Sequence, residues 1–96
     1  MLECLVDGEI SDRISAADRG LLYGDGLYEH IVVTGGQPRF WQGHIDRLKA
    51  GCEQLGLPTV PQEVLLRELK TVSAGQPDCL VRIILTRGIS ERGAGS

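Results

Sequence analysis

Ninety-six residues, thirteen of them acidic and ten basic, make one small domain of net charge −3; its Lys and Arg are dispersed, with no stripe able to displace phosphate counterions, which argues against nucleic-acid binding. A chain of this size buries only about 60 to 65 % of its unfolded surface, so a sizeable closed cavity requires a partner surface. No apolar run approaches the roughly 20 residues that span a bilayer; the start MLECLVDGE has no basic region or cleavage site, and Cys4, Cys52 and Cys79 have neither metal-ligand nor disulfide-framework spacing. The expectation is a cytoplasmic protein without metal, its cysteines serving as small buried hydrophobes.

In chain order, LECLV reads as a strand with Leu2, Cys4 and Val6 on one face, Asp7-Gly8 as a turn and Glu9-Ile10 as the return. Residues 11–18 are polar and irregular, with one helical turn possible over Ser15–Asp18. The stretch from Asp18 to Leu48 organises the rest. Gly20, Gly24 and Gly26 bracket Tyr23 and Asp25, and Asp25-Gly26 signals a turn. LYEHIVVT follows as a strand, Gly35-Gly36 as the hairpin connection and PRFW as the return strand. The chain leaves the turn extended, and GDGLYE lacks the third glycine of a dinucleotide fingerprint; with no GK[ST], a P-loop is excluded as well.

Ile45, Leu48, Cys52 and Leu55 recur at helical spacing across residues 42–55, and Gly56 and Pro58 stop that helix. Thr59 with Gln62 forms a capping-box pattern with Pro61 in the first turn; Val64, Leu65, Leu69 and Val72 give the second helix its apolar face. Gly75 and Pro77 end it. CLVRIILTR, residues 79–87, is β-branched and apolar on both faces, which predicts a central strand. The closing GISERGAGS reads as a functional loop, and the chain as the N-terminal part of a longer protein. The fold class is α+β, an antiparallel sheet flanked by two helices.

Candidate chemistry is thinly marked. His44, Arg47 and Gly51 share a helix face, and a guanidinium there can fork onto a phosphate or carboxylate; alone, such an arginine is more often solvated or internally paired. Strand alternation puts Tyr28, His30 and Val32 on one face and Leu27, Glu29, Ile31 and Val33 on the other. Tyr28, beside the turn, can line a pocket or pack as a half-buried aromatic. Arg82 interrupts an apolar strand, so its charge must be paired or face a ligand or interface. Arg87 and Arg92 flank the glycine loop, where arginines meet anions.

Taken together, DRGLLYGDGLYE and, fifteen residues on, GHIDRL resemble the N-terminal domain of the class IV, fold-type IV pyridoxal-phosphate enzymes. That family holds branched-chain aminotransferases, D-amino-acid aminotransferases and aminodeoxychorismate lyase. ADRG with YGDGLYE, RLKAGCEQLGLP, and RIILTRG with Arg92-Gly93 resemble its lyase branch. The resemblance implies pyridoxal 5′-phosphate as cofactor, Arg47 as its phosphate ligand, Tyr28 lining the active site, and Tyr23 reaching toward the neighbouring site of a homodimer. It places Arg82 near the cofactor and Arg92 on a substrate carboxylate. ISERGAG departs from the lyase loop, which has a tyrosine after RG, and Ala94 stands where the D-amino-acid enzymes have a histidine.

The family's chemistry also needs a lysine that forms a Schiff base with the cofactor. Lys49 sits about 200° around the helix from Arg47, Lys70 lies on the outer helix, and neither matches the motif. The resemblance therefore implies a catalytic lysine in a C-terminal domain beyond Ser96. The implied reaction turns 4-amino-4-deoxychorismate into 4-aminobenzoate and pyruvate in folate synthesis. Transamination of D-amino or branched-chain substrates is the alternative, and a non-catalytic folding or dimerisation module is the reading for the 96 residues alone.

Overall fold

The computed structural model describes residues 3–89. Its first element is a hairpin of β1 (Leu5–Val6) and β2 (Glu9–Ile10), closed by Asp7 and Gly8 at φ 52° and 83°. Positive φ at both turn residues matches the twist of the flanking strands. The strand is shorter than LECLV suggested, and Leu2 lies outside the described residues.

Residues 15–17 make a single turn, with the Asp18 amide donating to the Ser15 carbonyl at 3.1 Å. Asp18 then caps a helix that the glycine pattern did not reveal, α1 (Arg19–Tyr23), its Oδ1 accepting from the Gly20 amide at 2.7 Å. Gly24, at φ 66°, ends α1 in the left-handed conformation that glycine adopts without penalty. A three-stranded antiparallel sheet follows, in the order β4–β3–β5, from β3 (Gly26–Thr34), β4 (Gln37–Pro38) and β5 (Cys79–Thr86). β3 and β5 pair from Gly26↔Thr86 to Val33↔Cys79.

α2 (Trp41–Leu55) and α3 (Gln62–Val72) supply the apolar cover. Ile31, Val33 and Val81 pack with Leu69, while Ile45, Leu48 and Leu65 pack with Leu27, Ile83 and Leu85. Odd-numbered strand positions thus face the helices. At Gly51 a Cβ would stand 2.7 Å from Leu27 Cδ1, so glycine sets how closely α2 approaches β3. The opposite face of the sheet exposes Tyr28, Val32, Leu80 and Ile84.

Three sequence expectations are corrected here. PRFW is not a strand beyond Pro38: Phe40 turns into the left-handed region at φ 55° and its carbonyl accepts the first α2 bond, from the His44 amide. Thr59 does not cap α3; Pro61 occupies that position, with its carbonyl accepting from Val64 and Leu65 and no side-chain cap. β5 is not central. Among the described residues it pairs with β3 alone, and its apolar second face is open, not buried. No helix of the described residues is long and apolar enough to cross a membrane.

Candidate functional site

Three side-chain clusters surround β3, and the sequence motifs feed all of them. The first lies where Asp18–Gly26 meets the end of β5. Asp25 Oδ2 accepts from Arg19 Nε and from Arg87 Nε, both at 2.8 Å, and Arg87 Nη2 donates to the Leu55 carbonyl at the end of α2. The hydrogen bonds from Arg87 and then Arg19 hold the Asp25 carboxyl below its ordinary value of 3.8, against a smaller opposing effect of burial. Thr86 donates to Asp18 Oδ2, and a Cβ on Gly20 would overlap the Thr86 methyl. The Arg19 guanidinium also covers the Tyr23 ring, 4.5 Å from its centroid.

The second cluster sits between β3 and α2. Glu29 follows Tyr28 in the chain but points to the helix side, where its neighbours along the strand, Leu27 and Ile31, are apolar. Its Oε1 is 2.6 Å from His44 Nδ1, and its Oε2 is 3.2 Å from Arg47 Nε. Glu29 is only 11 % exposed, whereas Arg47 is 68 % exposed. His44 and Arg47 lie one helical turn apart, so a single carboxylate engages both.

The third cluster is on the open face. Arg82 Nε donates to His30 Nε2 at 3.0 Å, a contact that requires that ring nitrogen to be unprotonated. The Tyr28 ring lies 5.4 Å from the His30 ring, and Ile84 stands directly opposite Tyr28 on β5.

Of the residues singled out in the sequence, the structure joins Tyr28 and Arg82 on one face through His30. It sets Arg47 beside Glu29 and His44, and Tyr23 beside Arg19. Arg92 lies outside the described residues. The sequence reading passed over Glu29, His30 and Asp25. Glu29 carried a usable signal, because a carboxylate on the helix-facing side of an amphipathic strand must find a partner. Among the described residues no group of three or more His, Cys, Asp or Glu could hold a metal ion.

The donor set fits one part of pyridoxal phosphate, its phosphate group. Arg47 is a largely exposed cation whose terminal nitrogens make no hydrogen bond among the described residues. Neither lysine of the chain stands beside it: Lys70 Nζ donates to the Gly36 carbonyl at 3.0 Å, and Lys49 projects from another side of α2.

The sequence profile of the family described as Amino-transferase class IV matches residues 26–96. The fold superposes on the crystal structure of 4-amino-4-deoxychorismate lyase from Pseudomonas aeruginosa with a TM-score of 0.81, 40 % identity, and 92 % of this chain and 32 % of that one covered. An aminodeoxychorismate lyase of Vibrio harveyi is 32 % identical over 92 % of this chain and 32 % of its own. A D-alanine aminotransferase of Staphylococcus aureus is 31 % identical over 83 % of this chain and 29 % of its own. The chain spans about a third of the length of each of these proteins.

Proposed function

The chain belongs to the class IV amino-transferase family of pyridoxal-phosphate-dependent enzymes, and on that premise we propose that the whole protein is a 4-amino-4-deoxychorismate lyase. It would release pyruvate from 4-amino-4-deoxychorismate to leave 4-aminobenzoate, a step of folate synthesis in the cytoplasm. The observation that carries this reading is the 40 % identity across 92 % of the chain to the Pseudomonas lyase, together with the 0.81 TM-score. These 96 residues would be the N-terminal domain of a homodimeric enzyme. The Schiff-base lysine would come from a further domain.

In this reading Arg47 binds the cofactor phosphate through charge-assisted donors. The open face carrying Tyr28 and Arg82 forms one wall of the substrate cleft and excludes water with its apolar neighbours Leu80 and Ile84. Arg82 lies close to the cofactor, Arg92 receives a substrate carboxylate, and Tyr23 reaches toward the neighbouring subunit. When bound, pyridoxal phosphate supplies an electron sink beside the substrate amine.

Incubating the whole protein with 4-amino-4-deoxychorismate and separating the products tests the reading. Stoichiometric 4-aminobenzoate and pyruvate are expected. The similarity to D-alanine aminotransferase supports a second reading, transamination: glutamate formed from D-alanine and 2-oxoglutarate, with no 4-aminobenzoate from the first assay, would replace the lyase assignment.

A further inference from the structure

We propose that Glu29 is a positioning residue for the phosphate-binding arginine: anchored by His44, it holds Arg47 by Nε and leaves the two terminal nitrogens for a phosphomonoester. The inference rests on the reading of Arg47 as the cofactor's phosphate ligand.

A carboxylate turned toward the helices, between Leu27 and Ile31, is costly to bury unless it is paired. Its two oxygens are divided between two groups of α2, Oε1 with His44 at 2.6 Å and Oε2 with Arg47 at 3.2 Å. Because His44 is itself only 14 % exposed, the Glu29 carboxylate is fixed from the protein side before Arg47 meets it. A guanidinium has five N–H donors in one plane. The ion pair at Nε leaves the donors of Nη1 and Nη2, the pair that forks onto phosphate oxygens, at the exposed end of the side chain.

A neighbouring carboxylate also subtracts positive potential from the site. Repulsion between Glu29 and a bound dianion is offset by the positive charge of the guanidinium that both contact, and the ligand itself meets the exposed end of that guanidinium, in water and salt. The rotamer freedom that Arg47 surrenders to Glu29 is not screened, and it is surrendered before the ligand arrives. The hydrogen bond with His44 further draws on the Glu29 charge. Orientation therefore outweighs repulsion, and Glu29 strengthens anion binding.

The test measures affinities of the whole protein for pyridoxal phosphate and for pyridoxal, which lacks the phosphate, by equilibrium dialysis, with thermal melting of every variant. Glu29→Ala should weaken pyridoxal phosphate binding about tenfold and leave pyridoxal within about twofold. Glu29→Gln, which keeps an oxygen for Arg47, should recover most of the loss. His44→Ala, which frees Oε1, should shift the same ratio a few-fold in the direction of Glu29→Ala. A purely structural role would lower melting temperature without changing the ratio of the two affinities. Arg47→Ala separates this proposal from the reading beneath it. If Arg47→Ala abolishes the preference for the phosphorylated cofactor while Glu29→Ala and Glu29→Gln leave it unchanged or raise it, the positioning role is overturned and the phosphate role of Arg47 stands. If Arg47→Ala leaves the preference intact, both fall.

Discussion

Asp25 and Glu29 stand four residues apart on one continuous stretch, and each carboxylate engages two nitrogen groups, yet they have opposite consequences. Asp25 collects Arg19 and Arg87 on a single oxygen, and those arginines are 12 % and 33 % exposed. Both are spent inside the protein, on the Tyr23 ring and on the Leu55 carbonyl. Glu29 divides its oxygens and leaves Arg47 68 % exposed. The same ion-pair chemistry fastens secondary elements together in one place and, under the function proposed for Arg47, prepares a cation for a ligand in the other. What separates the two is how far the guanidinium is buried and already engaged by the protein, by the Tyr23 ring for Arg19 and by the Leu55 carbonyl for Arg87.

Exchanging the arginines should break that symmetry most visibly. Arg47→Ala is expected to weaken pyridoxal phosphate retention by the whole protein tenfold or more, about the worth of a charge-assisted bidentate contact, with melting little changed. Arg87→Ala is expected to do the reverse, lowering the melting temperature while leaving the preference for pyridoxal phosphate over pyridoxal unaltered. Dialysis and differential scanning calorimetry on the pair read both effects. If either variant moved both quantities together, the division of labour would be refuted.

Gly20→Ala probes the fastening side without touching charge. The new methyl would overlap the side chain of Thr86, which is β-branched and hydrogen-bonded to Asp18, so the overlap cannot be relieved by a simple rotation. A loss of about 1–3 kcal/mol in unfolding free energy is expected, offset in part by the better helix propensity of alanine.

Acid titration gives a smaller effect with a definite sign. Asp25 has its folded value depressed below 3.8, chiefly by Arg87 and Arg19, so the stabilisation from its charge is complete above 3.8 and disappears as the pH falls through the folded value. The melting difference between the protein and Asp25→Asn should therefore be constant near neutrality and shrink below that range. A difference that grew on acidification would contradict the assignment. Smallest of all is Arg13→Ala: its partner Asp12 lies 3.9 Å away and both side chains are over 85 % exposed. It should change stability by less than about 0.5 kcal/mol.

Much of this architecture can be read from the chain itself, and the part that cannot has a common cause. The alternation in LYEHIVVT assigned the β3 side chains from Leu27 to Val33 to their faces, and the spacing of Ile45, Leu48 and Cys52 located α2, because both patterns depend on neighbours within a few residues. α1 was missed because Gly20 resembles a turn residue; its reason for being glycine is Thr86, sixty-six positions away. β5 looked central because apolar character on both faces usually means burial on both. Leu80 and Ile84 are instead exposed on this chain. Thr59 offered a plausible capping box two residues ahead of the helix that Pro61 starts. In the candidate site, the family motifs pointed to Arg47, Tyr28 and Arg82. The groups beside them, Glu29 and His30, acquire their partners only once β3 is laid against α2 and β5.

The pairing of β3 with β5 bears on how the domain comes together. Each of its eight pairs joins residues more than 45 positions apart, and the intervening chain contains β4, α2 and α3. The β3–β4 hairpin and the two helices can form from local contacts, but the main ladder cannot begin until that long segment has been brought round. Loop-closure entropy makes this the slow event. During synthesis β3 is therefore complete and unpaired on one side until β5 emerges, and folding has to wait for the second half of the chain.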